Sequence, residues 1–204
     1  LCLEAGTGQS RERVQAALTT VFQRYGLPRQ MTMDNGGPWG AHAQIGGGYT
    51  RLQVWLLKLG IRVSYSRPYH PQTQGKLERF HRSLEADVVQ LRTLHDLVTC
   101  QAAFDQYRQL YNHARPHAAL DDAVPATRYR ASPRPMPEQL PEPTYPDDAI
   151  VLKVRSQGSV HFARREYFVG KAFQGEYIAV YGRTDEQLDF YFGSHCIKRW
   201  TRKV

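Results

Sequence analysis

Cysteine is scarce in this sequence: 204 residues hold three, Cys2, Cys100 and Cys196, far apart and with no CxxC pair. That pattern argues against a disulfide scaffold and a zinc knuckle, and it suits a reducing cytoplasm. Long apolar runs are missing as well; nothing approaches the eighteen or so residues of a membrane span. No signal-peptide pattern follows Leu1. Acidic charge is the third scarcity: 19 Asp and Glu stand against 27 Lys and Arg, for a net charge of +8 and a pI of about 9.5. Such a balance favours an anionic partner, and nucleic acid is the commonest. Arginine outnumbers lysine, and its planar fork suits phosphate oxygens. A GC-rich genome would produce the same bias.

What is present suffices for real cores: 41% of residues are hydrophobic and 11% aromatic. Half of the twelve prolines fall between residues 133 and 146, in ASPRPMPEQLPEPTYPDD, beside Glu138, Glu142, Asp147 and Asp148. That composition forms neither helix nor ladder and reads as an extended acidic tether. The expected organisation is a domain over 1–130, a Pro-rich acidic linker over 131–148 and a second domain over 149–204.

In the first region Val14, Ala17, Leu18, Val21, Phe22 and Tyr25 recur at three and four, predicting a helix over 10–25. Ser10 is its N-cap, and Gly26 with Pro28 stops it. RQMTMD reads as a short strand ending at Asp34, and LCLEA as another strand. A helix over about 50–59 puts Leu52, Trp55, Leu56 and Leu59 on one face, and IRVSY is the next strand. A later helix carries Leu77, Leu84, Val88 and Leu91; one over about 96–112 is expected to bury Leu97, Cys100, Phe104 and Tyr111. Strands alternating with helices predict an α/β layer fold. Beyond the linker, IVLKVR, SVHFA, EYFVG, GEYIAVYG, LDFYFG and HCIKRW are short β-type runs, suggesting a small closed barrel studded with Arg164, Arg165, Lys198 and Arg199. Most of the interleaved aromatics, Tyr167, Phe168, Tyr191 and Trp200 among them, read as core.

Two carboxylates carry the candidate chemistry. Asp34 closes a strand, the position where loops in open α/β sheets gather ligands; Asp-Asn-Gly is also ordinary turn chemistry. Glu78 lies one turn into the helix that follows RPYHPQTQGK. If the two strands are parallel neighbours, that loop returns the chain over the same sheet end. Two acids there, among Arg67, Lys76 and Arg79, make a site for a hard divalent cation and phosphate oxygens. His113 and His117 have HxxxH spacing, but with Pro116 between them and no thiols nearby, loop histidines are the favoured reading.

MDNGGPWG, LGIRVSYSRPYHPQTQGKLERFHRSLE and YNHARPHAALDDAVPATRY resemble the core of the DDE-type transposase and retroviral-type integrase family, most closely bacterial insertion-sequence transposases. EYFVGKAFQGEYIAVY and FYFGSHCIKRW resemble that family's C-terminal DNA-binding domain. The resemblance implies a ribonuclease-H-like core followed by a small all-β Src-homology-3-like barrel. It also implies Mg2+ or Mn2+, cutting and joining of DNA ends, double-stranded DNA as partner, and a homo-oligomer on DNA. It places Asp34 and Glu78 as catalytic and metal-binding acids. Arg67, Tyr69, His70, Gln72, Gln74, Lys76, Arg79 and Arg82 become DNA contacts, with Arg164, Arg165, Lys198 and Arg199 in the barrel. Two features depart from the family pattern. The 43 residues between Asp34 and Glu78 exceed the usual interval, with AHAQIGGGYT as the insertion. Only Glu4 and Glu12 lie upstream of Asp34, neither placed as the family's first acid. The expectation is a core truncated before its first strands, with metal binding weak and little or no catalysis by this chain alone. A non-catalytic DNA-binding remnant, and a barrel used for protein contacts, are the alternatives.

Overall fold

The computed structural model describes residues 2–33, 39, 48–65, 75–90, 94–184 and 187–201, without the side chains of residues 76, 183 and 184. Contacts group the chain into two compact units, Leu1–Gly26 with Ser66–Pro135 and Leu27–Tyr65 with Met136–Val204. No helix among the described residues is long and apolar enough to cross a membrane.

The first unit is helical. Helix α1, Arg11–Tyr25, begins where the Ser10 hydroxyl accepts from the Arg13 N–H at 3.3 Å, satisfying a donor the helix cannot pair itself. It ends at Gly26, whose φ of 76° no β-carbon would tolerate here: one would lie 2.6 Å from the Ser132 carbonyl oxygen. Helix α3 spans Gly75–Leu84 and α4 spans Leu97–Gln109, the latter capped by Asp96 accepting from Thr99 N–H at 2.7 Å. Phe80, Val88, Ala103 and Tyr107 form the core, with Leu3, Leu84, Leu94, Phe104 and Tyr111 packed against them.

Three expectations need correction here. Leu97 is exposed because it is the first residue of α4, ahead of the stripe that Ala103 and Tyr107 bury. Leu77 is exposed in the first turn of α3, and Phe80, three residues on, reaches the core instead; Leu91 lies outside the described residues. The described residues of LCLEA, 2–5, form no strand. The Gln101 carboxamide stands in for a strand neighbour: its Oε1 accepts from Ala5 N–H at 2.9 Å, and its Nε2 donates to the Leu3 carbonyl at 3.1 Å. One side chain thus satisfies two backbone groups that would otherwise need a ladder.

The second unit contains the sheets. Strands β1, Gln30–Met33, and β2, Arg62–Tyr65, pair in parallel, Gln30 opposite Arg62 and Met33 opposite Tyr65. They are joined through α2, Arg51–Lys58, which opens on a capping box between Thr50 and Gln53. Beyond the linker, all six β-type runs are strands: β3 Ile150–Lys153, β4 Ser159–Phe162, β5 Arg165–Phe168, β6 Tyr177–Thr184, β7 Gln187–Phe192 and β8 His195–Thr201. Strands β3, β6, β7 and β8 form an antiparallel sheet in that order, and β4–β5 is a separate hairpin. Its two-residue turn, Ala163-Arg164, has φ of 47° and 62°, the twist-matched geometry usually given to Asn-Gly.

Helix α2 buries six of its eight residues. Val54 and Leu57 join Val154, Val160, Tyr167, Phe173, Ile178, Val180, Phe190 and Phe192 in one core. At its last turn the Lys58 ammonium, only 9% exposed, meets Glu176 at 2.8 Å and Glu142 of the linker at 3.2 Å. Tyr145 pins the same linker, its hydroxyl donating to Tyr177 O at 2.6 Å and accepting from Gly193 N–H at 3.2 Å. The linker itself forms no helix or ladder over 131–148.

Leu56 is fully buried, so Leu56→Ala is expected to cost about 2–5 kcal/mol through lost transfer energy and a residual cavity; urea denaturation measures it. Burial pulls the Lys58 pKa down, but hydrogen bonds and charge from Glu176 and Glu142 outweigh it and leave it above 10.5. A raised lysine pKa gives stability that is complete below the unfolded value and lost as pH rises through the folded one. The thermal-midpoint difference between wild type and Lys58→Met should therefore stay constant from about pH 6 to 9. A difference that changes across that range would show that the lysine does not carry it.

Candidate nucleic-acid and metal site

Glu78 sits in the first turn of α3, where the positive end of the helix dipole favours a carboxylate. Phe80, two residues later, is buried in the helical core, and Glu78, Arg79 and Arg82 are exposed. Among the described residues no hydrogen bond or ion pair engages the Glu78 carboxylate. An exposed carboxylate of this kind suits a hard cation, and exposed Arg79 and Arg82 on the same helix suit anions.

Asp34, Arg67, Tyr69, His70, Gln72 and Gln74 lie outside the described residues, as does the Lys76 side chain. Among the described residues no three His, Cys, Asp or Glu side chains gather as a metal site. His113 is exposed, and the His117 ring stacks edge-on against Tyr111 at 4.7 Å. Near the end of β2, the Tyr65 hydroxyl donates to the Trp39 carbonyl at 2.8 Å. Burial first, then Tyr49, pushes its pKa up to about 12, so it remains a neutral donor at physiological pH.

The four predicted cations of the second unit fall into two pairs. Arg164 and Arg165 are exposed at the tip of the β4–β5 hairpin. Lys198 donates from Nζ to the Phe168 carbonyl at 2.5 Å and lies 5.6 Å from the Phe168 ring centre. Arg199 donates from Nε to Asp189 Oδ1 at 3.0 Å, across the β7–β8 ladder. Asp189 is 1% exposed, so the guanidinium compensates a carboxylate held inside the sheet, and that hydrogen bond holds the Arg199 pKa above its usual value. Lys198 and Arg199 are thus tied into the fold. Sequence reading missed Asp189: LDFYF reads as an alternating strand, and the only signal was a lone acid opposite an arginine in the ladder.

Residues 59–125, which include Glu78, the RPYHPQTQGK segment before it and YNHARPH, match the family model of the integrase core domain. The Gag-Pro-Pol polyproteins of Mason-Pfizer monkey virus and of simian retrovirus SRV-1 are each 33% identical over 88 residues, 42% of this chain. The chain spans about 4% of the length of those relatives. Among solved structures, the simian T-cell lymphotropic virus intasome in complex with the PP2A regulatory subunit B56 gamma aligns with a TM-score of 0.46 and 14% identity. That alignment covers 98% of this chain and 66% of the other. Over residues 59–125, about a third of the chain, the sequence is thus similar to the integrase core domain.

Because Arg199 compensates Asp189, Arg199→Ala is expected to lower the thermal unfolding midpoint. Arg164→Ala should leave it within error, since its side chain is exposed on the turn. Differential scanning calorimetry separates the two; equal shifts would contradict the division into structural and free cations.

Proposed function

We propose that this chain is part of a DDE-type transposase or integrase that cleaves DNA ends and joins them to target DNA by metal-dependent phosphoryl transfer. The match of residues 59–125 to the integrase core domain carries the reading. Glu78 supplies the local chemistry: an exposed carboxylate, unengaged among the described residues, on the first turn of a basic helix. It suits Mg2+ or Mn2+, which take carboxylate, water and phosphate oxygens. Asp34, the residue after β1, is assigned as the second acid from its place in the motif. The metal, when bound, would activate a water or 3′-hydroxyl and stabilise the leaving oxygen.

Arg67, Tyr69, His70, Gln72, Gln74 and Lys76 are assigned to positioning the DNA backbone before that helix, with Arg79 and Arg82 extending the basic surface. From the sequence motifs the modules are assigned as 1–130, a tether over 131–148, and 149–204 as a small Src-homology-3-like barrel, a division along the chain that differs from the two contact-defined units. On that module the exposed Arg164 and Arg165 are assigned to phosphate contacts. Double-stranded DNA is the partner, and pairing two DNA ends implies a homo-oligomer.

The test is strand transfer by the full-length protein with Mg2+ or Mn2+. Asp34→Asn and Glu78→Gln should each reduce it by more than about a hundredfold, beyond the loss typical of residues that only support a metal ligand. Wild-type rates in either variant would remove that residue from the metal site. Binding to duplex DNA should fall with salt by about 0.9 log units per log unit for each neutralised phosphate, and Arg164→Ala with Arg165→Ala should flatten that slope. A slope near zero would reject the phosphate-binding role.

A further inference from the structure

Helices α3 and α4 both end in an uncommon way. After Leu84 the chain widens into a π-helical turn, Glu85–Val89, closed by Gln90 N–H donating to the Glu85 carbonyl at 2.9 Å. After Gln109 it does so again over Leu110–Ala114, closed by Arg115 N–H donating to the Leu110 carbonyl at 2.8 Å. Single π turns are rare and concentrate at functional sites, because the extra residue rotates the side chains that follow. Here the two turns are tied to each other. Arg115, the residue that closes the second, donates from Nη1 to Oδ2 of Asp87, which lies within the first, at 2.5 Å.

Aromatic rings lie between the same helices. Phe80 meets Tyr111 edge-on at 5.2 Å and lies 6.2 Å from Tyr107, and Tyr111 meets His117 at 4.7 Å. Phe80 is 6% exposed and only two residues from Glu78, so whatever fixes the rotation of α3 about its axis also fixes where the Glu78 carboxylate points. Rings leave some freedom of rotation, since edge-on contacts tolerate sliding. A directional charge-assisted hydrogen bond restricts it more.

We propose that Arg115 is a positioning residue for Glu78: its hydrogen-bonded ion pair with Asp87 ties the two π turns together and sets the axial rotation of α3. The inference rests on the reading of Glu78 as a metal ligand. Asp87 and Arg115 touch neither metal nor DNA in this scheme; they act through the helix. Both side chains are more than a third exposed, so the pair contributes little to overall stability. Its effect belongs in the geometry of the carboxylate, and hence in metal affinity rather than in the amount of folded protein.

The experiment titrates Mg2+ against strand transfer by the full-length protein. Arg115→Gln and Asp87→Asn should each raise the half-saturating metal concentration about fivefold, which converts to ~1 kcal/mol. The plateau rate at high metal should stay close to wild type and the thermal midpoint nearly unchanged. The double variant should be no worse than either single one, and the exchanged pair Asp87→Arg with Arg115→Asp should recover part of the affinity. Arg108→Ala, which removes an exposed pair with Asp105 on α4, serves as the control and should leave half-saturation unchanged. Unchanged half-saturation in the Arg115 and Asp87 variants, with Glu78→Gln inactive, would overturn the positioning role alone. A fall confined to the plateau rate and thermal midpoint would make the pair merely structural and overturn it as well. Wild-type activity in Glu78→Gln would overturn the metal-site reading, and the inference with it.

Discussion

Helix α2 has almost no exposed surface, and the second unit is arranged around that fact. A helix that is apolar on most of its circumference must be covered on more than one side. One side is supplied by its own neighbour in sequence, since α2 packs on β2. The other is supplied by the C-terminal strands, where Val54 and Leu57 share a core with Phe173, Ile178 and Phe190. The single charge at the end of this helix, Lys58, could not be buried alone at tolerable cost. Glu176 and Glu142 surround it, and through Glu142 the acidic linker becomes part of the packing. The negative charge of the tether thus has a structural use inside its own unit.

The first unit follows a different rule. Its core is small and aromatic, built from the inner faces of α3 and α4 with Leu3 and Leu94 at the margin. Polar groups finish what the apolar contacts do not: Asp96 caps α4, Gln101 receives the backbone of residues 3–5, and Arg115 joins Asp87. The result leaves the first turn of α3 outside the core, with Glu78, Arg79 and Arg82 exposed. A carboxylate open to solvent beside two arginines on a helix start is poor as a packing element and well suited to a cation and a phosphate.

Much of this was legible in the sequence where a local rule decides the outcome. Ser10 and Gly26 bound α1 through capping and a positive φ, the parallel pairing of β1 with β2 follows from a helix joining neighbours, and six alternating runs became six strands. The failures share a cause, since each depended on a partner distant in sequence. LCLEA has strand composition, but Gln101 supplies its hydrogen bonds. Leu77 and Leu97 have the right periodicity, yet both stand at helix starts where no core reaches. Burial of all sides of α2 was not visible either, because one face was evident in its spacing and the second depends on strands about a hundred residues later. At the site, the string from Arg67 to Glu78 stands out in the sequence because it resembles a known motif. The pair Asp87–Arg115 was not, because nothing local to either residue calls for the other.

The central proposal, that Glu78 and Asp34 serve as ligands of the same metal ion, is tested most directly by replacing Mg2+ with Fe2+ in the full-length protein on DNA. Ascorbate and peroxide would then generate radicals that cut the polypeptide beside the bound ion, and the fragments are mapped by mass spectrometry. The account predicts two clusters of cuts, around residue 34 and around residue 78, both competed away by Mg2+. Cuts confined to one of those positions, or to neither, would contradict it.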